Sequence, residues 1–178
     1  MKNFKKNLDL LKKNHVYSED MEHDACGVGL IASTEGKKSR KVVEYGIEAL
    51  KAVWHRGAVD ADGKTGDGAG IHVEIPKDFF IEKIELTGHT HDSSEICVGM
   101  IFLPRNNYSA QESCKTIVES ELTKNNFSIY GWRQVPVNPK VLGEKAFQTM
   151  PEIIHVLFKS NDPNLLGKNL ERKIYETR

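Results

Sequence analysis

Several things are scarce in this 178-residue chain, and each scarcity removes a class of protein. There are only three cysteines, Cys26, Cys97 and Cys114, which cannot all pair and whose spacing matches no common zinc pattern. A reducing compartment, the cytoplasm, is therefore expected. Charge of one sign is not in excess. Lys+Arg 25 balance Asp+Glu 25 for a formal net charge of +0, which leaves no electrostatic footprint for nucleic acid or an anionic membrane. No apolar run approaches the ~18–20 residues of a membrane span. The lysine-bearing N-terminus also lacks the apolar core of a secretory signal. There is no internal repeat, no low-complexity tract and no Asn-Gly dipeptide. His72, His89, His91 and His155 form no coherent metal set. What is left is one domain of ordinary size, able to bury a core.

Phe4, Leu8 and Leu11 recur at helical spacing among five lysines, which predicts a short amphipathic helix followed by a polar stretch up to Ala25. Such a helix suits a membrane surface or a removable leader. After Cys26, the residues Gly27 to Ala32 read as a buried strand. Ser39 is the expected N-cap of a helix whose stripe is Val43, Ile47, Leu50 and Trp54, with Gly57 as its left-handed stop. Ile71, Val73 and Ile75 alternate as in a strand. A helical turn is expected between Asp78 and Leu86, and Ile96 to Pro104 reads as a central strand covered on both faces. Ser109 and Glu112 fit a capping box for a helix with Cys114, Ile117, Val118 and Leu122 on its core face. Phe127 to Val135 and the run EIIHVLFK read as strands, and Asn169 to Arg178 is helix-prone. This order argues against a doubly wound parallel sheet and for mixed α and β layers.

Cys26 stands where a polar segment meets an apolar one. On residue type alone it fits a small buried cysteine. It also fits a nucleophile that becomes N-terminal when residues 1–25 are removed. A free α-amine titrates near ~7.7–8.0 and can take the proton of its own residue's thiol. Arg56 is readable as a favourable charge near a helix C-terminus, worth ~0.3–1 kcal/mol, or as an active-site guanidinium. His55 reads as a packed histidine, Asp67 as a turn residue, and Cys97 and Cys114 as structural. Gly27-x-Gly29-x-x-Ala32 nominally fits the dinucleotide fingerprint but lacks the preceding strand, and Gly66-x-Gly68-x-Gly70 fits neither that pattern nor a P-loop.

Taken together, HDACGVG, HRGA and TGDGAGI resemble the class II glutamine amidotransferases, which are N-terminal-nucleophile hydrolases, and specifically the opening domain of the glutamate synthase large-subunit family. The resemblance runs from about Tyr17 to the C-terminus and is sharpest between His23 and Ile71. It implies an α+β fold, a four-layer αββα sandwich, with residues 1–25 as leader and 26–178 as the N-terminal part of the amidotransferase domain. It also implies Cys26 as nucleophile, Arg56 as a substrate-binding residue, and L-glutamine as substrate with ammonia passing to 2-oxoglutarate. FMN and an iron–sulfur cluster would sit on other domains, with no cofactor or metal in this segment. A small electron-supplying subunit or ferredoxin is the implied partner. The family's Asn-Gly oxyanion pair is absent, and NLERKIYETR carries no helix stop. The chain thus reads as a C-terminally truncated fragment, expected to be inactive alone. Two other readings are an amidotransferase making phosphoribosylamine or asparagine, which TGDGAGI tells against, and a non-catalytic binding domain of the same fold.

Overall fold

A computed structural model describes residues 2–14, 27–54, 57–92 and 95–178. These fall into two compact units, Met1–Ala58 with Asp67–Ile71, and Val59–Gly66 with His72–Arg178.

Among its described residues the first unit contains two helices, α1 (Lys2–Lys13) and α2 (Arg40–Ala52). In α1, Lys12 and Lys13 in the last turn face the negative end of the dipole. Leu11 is 42% exposed, and the side chains of Phe4 and Leu8 lie outside those described. The helix α2 begins as its sequence dictates, with the Ser39 hydroxyl accepting the Lys41 backbone N–H at 3.2 Å. Its stop differs from expectation. Val53 is the C-cap and the helix ends at Ala52, well before Gly57. Val43, Ile47 and Leu50 are half-buried, whereas Trp54 is 77% exposed. Residues 27–32 are irregular rather than a buried strand, and Val28 and Leu30 are each 90% exposed. Among the described residues no strand pairs with them. Strand propensity without a partner leaves the backbone donors to water and holds nothing.

The second unit is built on a three-stranded antiparallel sheet of β1 (Cys97–Leu103), β2 (Phe127–Gln134) and β3 (Glu152–Ser160) in the order β1-β3-β2. The register runs from Cys97 opposite Phe158 to Leu103 opposite Glu152, and from Phe127 opposite Ser160, with an irregularity between Ile129 and Gly131. Alternation along β3 sends Val156 and Phe158 to one face and Leu157 to the other. The first face packs on Leu122 of α4 (Tyr108–Lys124) and Leu170 of α6 (Gly167–Thr177). The second packs on Phe80 and Ile84 of α3 (Lys77–Glu85). The central strand is therefore β3 and not the Ile96–Pro104 run. In β1, an edge strand, Met100 and Phe102 are 54% and 61% exposed because α3 packs only against the Ile96–Val98 end. The segment expected as a strand around Ile71 to Ile75 is extended but unpaired, with Val73 45% exposed.

The cap of α4 is Asn107, whose Oδ1 accepts the Ala110 N–H at 3.0 Å. Ser109 already lies inside the helix, and Glu112 pairs instead with Lys115 at 2.9 Å. Leu122 is buried and Val118 packs on the core as expected, but Ile117 is 62% exposed. The short helix α5 (Glu144–Thr149) precedes β3. The α+β class is thus observed, with every strand pair antiparallel.

Candidate active site

Of the residues singled out from sequence around α2, Asp67 is described and belongs to the first unit. Cys26, His55 and Arg56 themselves lie outside the described residues. Their sequence neighbours show how this part of the chain is held. After α2 ends, the Gly57 N–H donates to the Trp54 carbonyl at 3.0 Å. The next N–H, that of Ala58, donates to Oδ2 of Asp67 at 2.7 Å. Asp67 is thus more than a turn residue, because it joins the stretch following Arg56 to the glycine-rich TGDGAG segment. The signal for it was present in the sequence: an acceptor flanked by Gly66 and Gly68, with an excursion of nine residues to close.

Downstream of Asp67 the chain returns to α2. A Cβ on Gly46 would lie 3.1 Å from Cδ1 of Ile71. Glycine inside a helix costs roughly 0.5–1 kcal/mol relative to alanine. Here it lets the Ile71 side chain lie against the helix backbone.

Within the second unit, the excursion itself folds into a small hairpin. Val59 and Gly66 form a bridge, and the Asp60 N–H donates to the Thr65 carbonyl at 2.7 Å. Asp62 Oδ1 accepts the N–H groups of Lys64 and Thr65 at 2.9 and 2.7 Å, and its Oδ2 accepts the Thr65 hydroxyl at 2.5 Å. These donors, the Thr65 hydroxyl first, hold the Asp62 carboxyl well below the usual carboxylate range. Lys145 of α5 pairs with Asp60 at 2.7 Å. A Cβ on Gly143, which is buried, would collide with Asp62 Oδ2 and Thr65 Oγ1, so glycine is required for this docking.

The remaining chemical candidates are structural. Cys97 is 3% exposed in the sheet core, and burial pushes its thiol up to about 12. Cys114 is half-buried on α4. His155 is buried in β3 against Phe80, their ring centroids 5.7 Å apart. No group of three or more His, Cys, Asp or Glu side chains among the described residues could hold a metal ion. No described helix is long and apolar enough to cross a membrane.

Comparison with known proteins bears on this arrangement. The family described as "Glutamine amidotransferases class-II" matches residues 26–178. The "Glutamate synthase [NADPH] large chain" of Azospirillum brasilense is 54% identical over 158 residues, covering 89% of this chain and 10% of its own. The "Ferredoxin-dependent glutamate synthase" of Pyropia yezoensis is 37% identical over 170 residues, covering 95% and 11%. The "Glutamate synthase [NADH]" of Saccharomyces cerevisiae is 37% identical over 150 residues, covering 82% and 7%. The chain spans about a tenth of the length of these relatives.

Proposed function

The chain belongs to the class II glutamine amidotransferases, and from that membership we propose that it is the glutaminase portion of a glutamate synthase. The observation that best supports this reading is where the family match starts, at residue 26, the cysteine itself. In this reading residues 1–25 form a leader and 26–178 the first part of the amidotransferase domain, inside a four-layer αββα sandwich in the cytoplasm.

Removal of the leader frees the α-amine of Cys26. The amine takes the thiol proton as sulfur attacks the side-chain amide carbon of L-glutamine. That proton goes to the departing nitrogen, ammonia leaves, and a thioester to Cys26 remains. Water then adds to the thioester, releasing glutamate and restoring the thiol. Arg56 holds the substrate through its planar guanidinium fork. The ammonia goes on to 2-oxoglutarate on another part of the polypeptide.

FMN and an iron–sulfur cluster belong, in this reading, to the parts of the protein outside this segment. The residues here do not fit a cluster, because Cys97 is sealed in the sheet core and leaves two other cysteines. The electron-supplying partner is a small subunit or ferredoxin, in line with the names of the relatives.

The deciding experiment is Cys26→Ser in the full-length protein, with N-terminal sequencing of the active wild type. Glutamine-dependent turnover should vanish while turnover with free ammonia persists. Equal loss with both nitrogen sources, or full activity with residues 1–25 still attached, would sink the reading.

A further inference from the structure

Strand β2 carries an extra residue. Ile129 pairs with Phe158 and Gly131 with the adjacent Leu157, so Tyr130 is skipped in the register. A bulge of this kind re-aims a side chain. Gly131 accommodates it with φ +150°, and a Cβ there would lie 3.1 Å from Cγ2 of Thr87, just past the end of α3. Tyr130 is 5% exposed, and among the described residues its buried hydroxyl has no hydrogen-bond partner. Buried hydroxyls are ordinarily paired, because an unmet one forfeits its hydration. Tyr130 also lines an open cleft of about 500 Å³, together with His89, Ser128, Lys159 and Asn161. The cleft lies wholly within the second unit and involves neither Cys26 nor Arg56.

Thr87 and Asp92 fix what the cleft presents. The Thr87 hydroxyl donates its one proton to the Ile84 carbonyl at 2.6 Å. It must therefore accept in its 3.0 Å contact with Nδ1 of His89, so that nitrogen carries a proton. In the neutral ring Nε2 is then a lone-pair acceptor. The rings of His89 and Tyr130 meet edge to face, their centroids 5.9 Å apart. The Lys159 ammonium lies 5.7 Å from the centre of the Tyr130 ring. Its hydrogen bond to the Asp92 carboxylate keeps it charged and leaves it further N–H donors. Two donors, an ammonium and a phenol, thus stand beside one imidazole acceptor.

We propose that this cleft binds a phosphate group that retains a proton, its oxygens accepting from Lys159 and Tyr130 and its O–H donating to Nε2 of His89. A carboxylate or a sulfate at neutral pH brings acceptors only and would set a lone pair against Nε2. The cleft holds either the free ion or a small phosphomonoester, being within the size range of small-molecule sites.

The test is calorimetric titration of the full-length protein near neutral pH and at fixed ionic strength, with inorganic phosphate, glycerol 3-phosphate and sulfate. The better phosphate probe should bind about tenfold more tightly than sulfate. Tighter binding of the ester assigns a phosphomonoester, and tighter binding of inorganic phosphate assigns the free ion. Tyr130→Phe keeps the ring and should weaken phosphate binding about fivefold. It should not lower the melting temperature measured without phosphate, since the hydroxyl it removes has no partner. Lys159→Met should weaken binding about tenfold or more, through loss of a charge-assisted bond. His89→Ala should bring phosphate down to the affinity of sulfate. Sulfate binding as tightly as both phosphate probes would overturn the proposal, and so would unchanged affinity in Tyr130→Phe. A melting temperature that falls in Tyr130→Phe would give the hydroxyl a structural bond and overturn it as well.

Discussion

Arg133 on β2 and His155 on β3 are register partners, and the guanidinium Nη1 of Arg133 lies 3.4 Å from Nδ1 of the imidazole. A guanidinium has only donors, so the histidine nitrogen facing it must be the acceptor and the ring is neutral. On the same side Phe79 stacks under Arg133, 5.1 Å from the guanidinium carbon, and Phe80 flanks the imidazole. Burial, and then the Arg133 charge, lower the pKa of His155 below its ordinary 6.5.

Stability is therefore predicted to depend on pH through this pair. The depressed folded value means the unfolded chain binds a proton first as pH falls. The contribution of His155 is complete above about pH 6.5 and declines as pH drops from there toward the folded value. Hydrogen-exchange protection of the β2 and β3 amides, corrected for intrinsic rates, should fall between pH 7.5 and 5.5. His155→Gln should flatten that slope, and an unchanged slope in the variant would assign it to other groups.

Thiol reactivity should separate the cysteines. Cys97 is sealed and its thiolate disfavoured, so alkylation of native full-length protein at pH 8 is expected to spare it. Under the proposed function, in which Cys26 is an N-terminal nucleophile, Cys26 should react fastest, with glutamine slowing the reaction. Peptide mapping by mass spectrometry reads both sites, and early modification of Cys97 would contradict the packing described above.

If Arg56 binds glutamine as proposed, Arg56→Lys should keep the charge but lose the fork, lowering kcat/KM for glutamine at least tenfold, about 1.4 kcal/mol. Steady-state kinetics beside an unchanged circular-dichroism spectrum would check it. Unaltered kinetics in a folded variant would return Arg56 to a favourable charge near the end of α2.

Gly143→Ala should be costly, since Gly143 is buried. The added methyl meets Asp62 and Thr65 directly, and overpacking of this kind costs about 1–3 kcal/mol. Lys145→Ala, which removes the exposed Asp60 ion pair, should cost about 0–1 kcal/mol. Denaturant midpoints for the two variants should fall in that order, and the reverse order would mean the hairpin is held by the ion pair.

Legibility in the sequence followed the range of the interactions involved. Ser39 was readable as a cap because an N-cap acts within two residues, and β3 because EIIHVLF is apolar on both faces. Asn107 rather than Ser109 caps α4, because asparagine is as good a cap as serine and its Oδ1 accepts the Ala110 N–H, so two local signals competed two residues apart. Val28 and Leu30 have strand composition, yet strand formation needs a partner elsewhere in the chain. The central place of β3 and the edge place of β1 were hidden for the same reason, since both runs are apolar throughout. Cys26 and Arg56 are named by motif alone and lie outside the described residues, and the Ala58–Asp67 bond is hidden from a local reading because it spans nine residues.

The strand order β1-β3-β2 has a consequence for how the chain is born. Cys97–Leu103 and Phe127–Gln134 leave the ribosome first, and neither neighbours the other in the finished sheet. Both wait for Glu152–Ser160 to come between them. With synthesis at about 5–20 residues per second, apolar segments such as Ile101-Phe102-Leu103 spend seconds without a mate. The first half of the sheet is thus exposed to wrong pairings during translation until Glu152–Ser160 has left the ribosome.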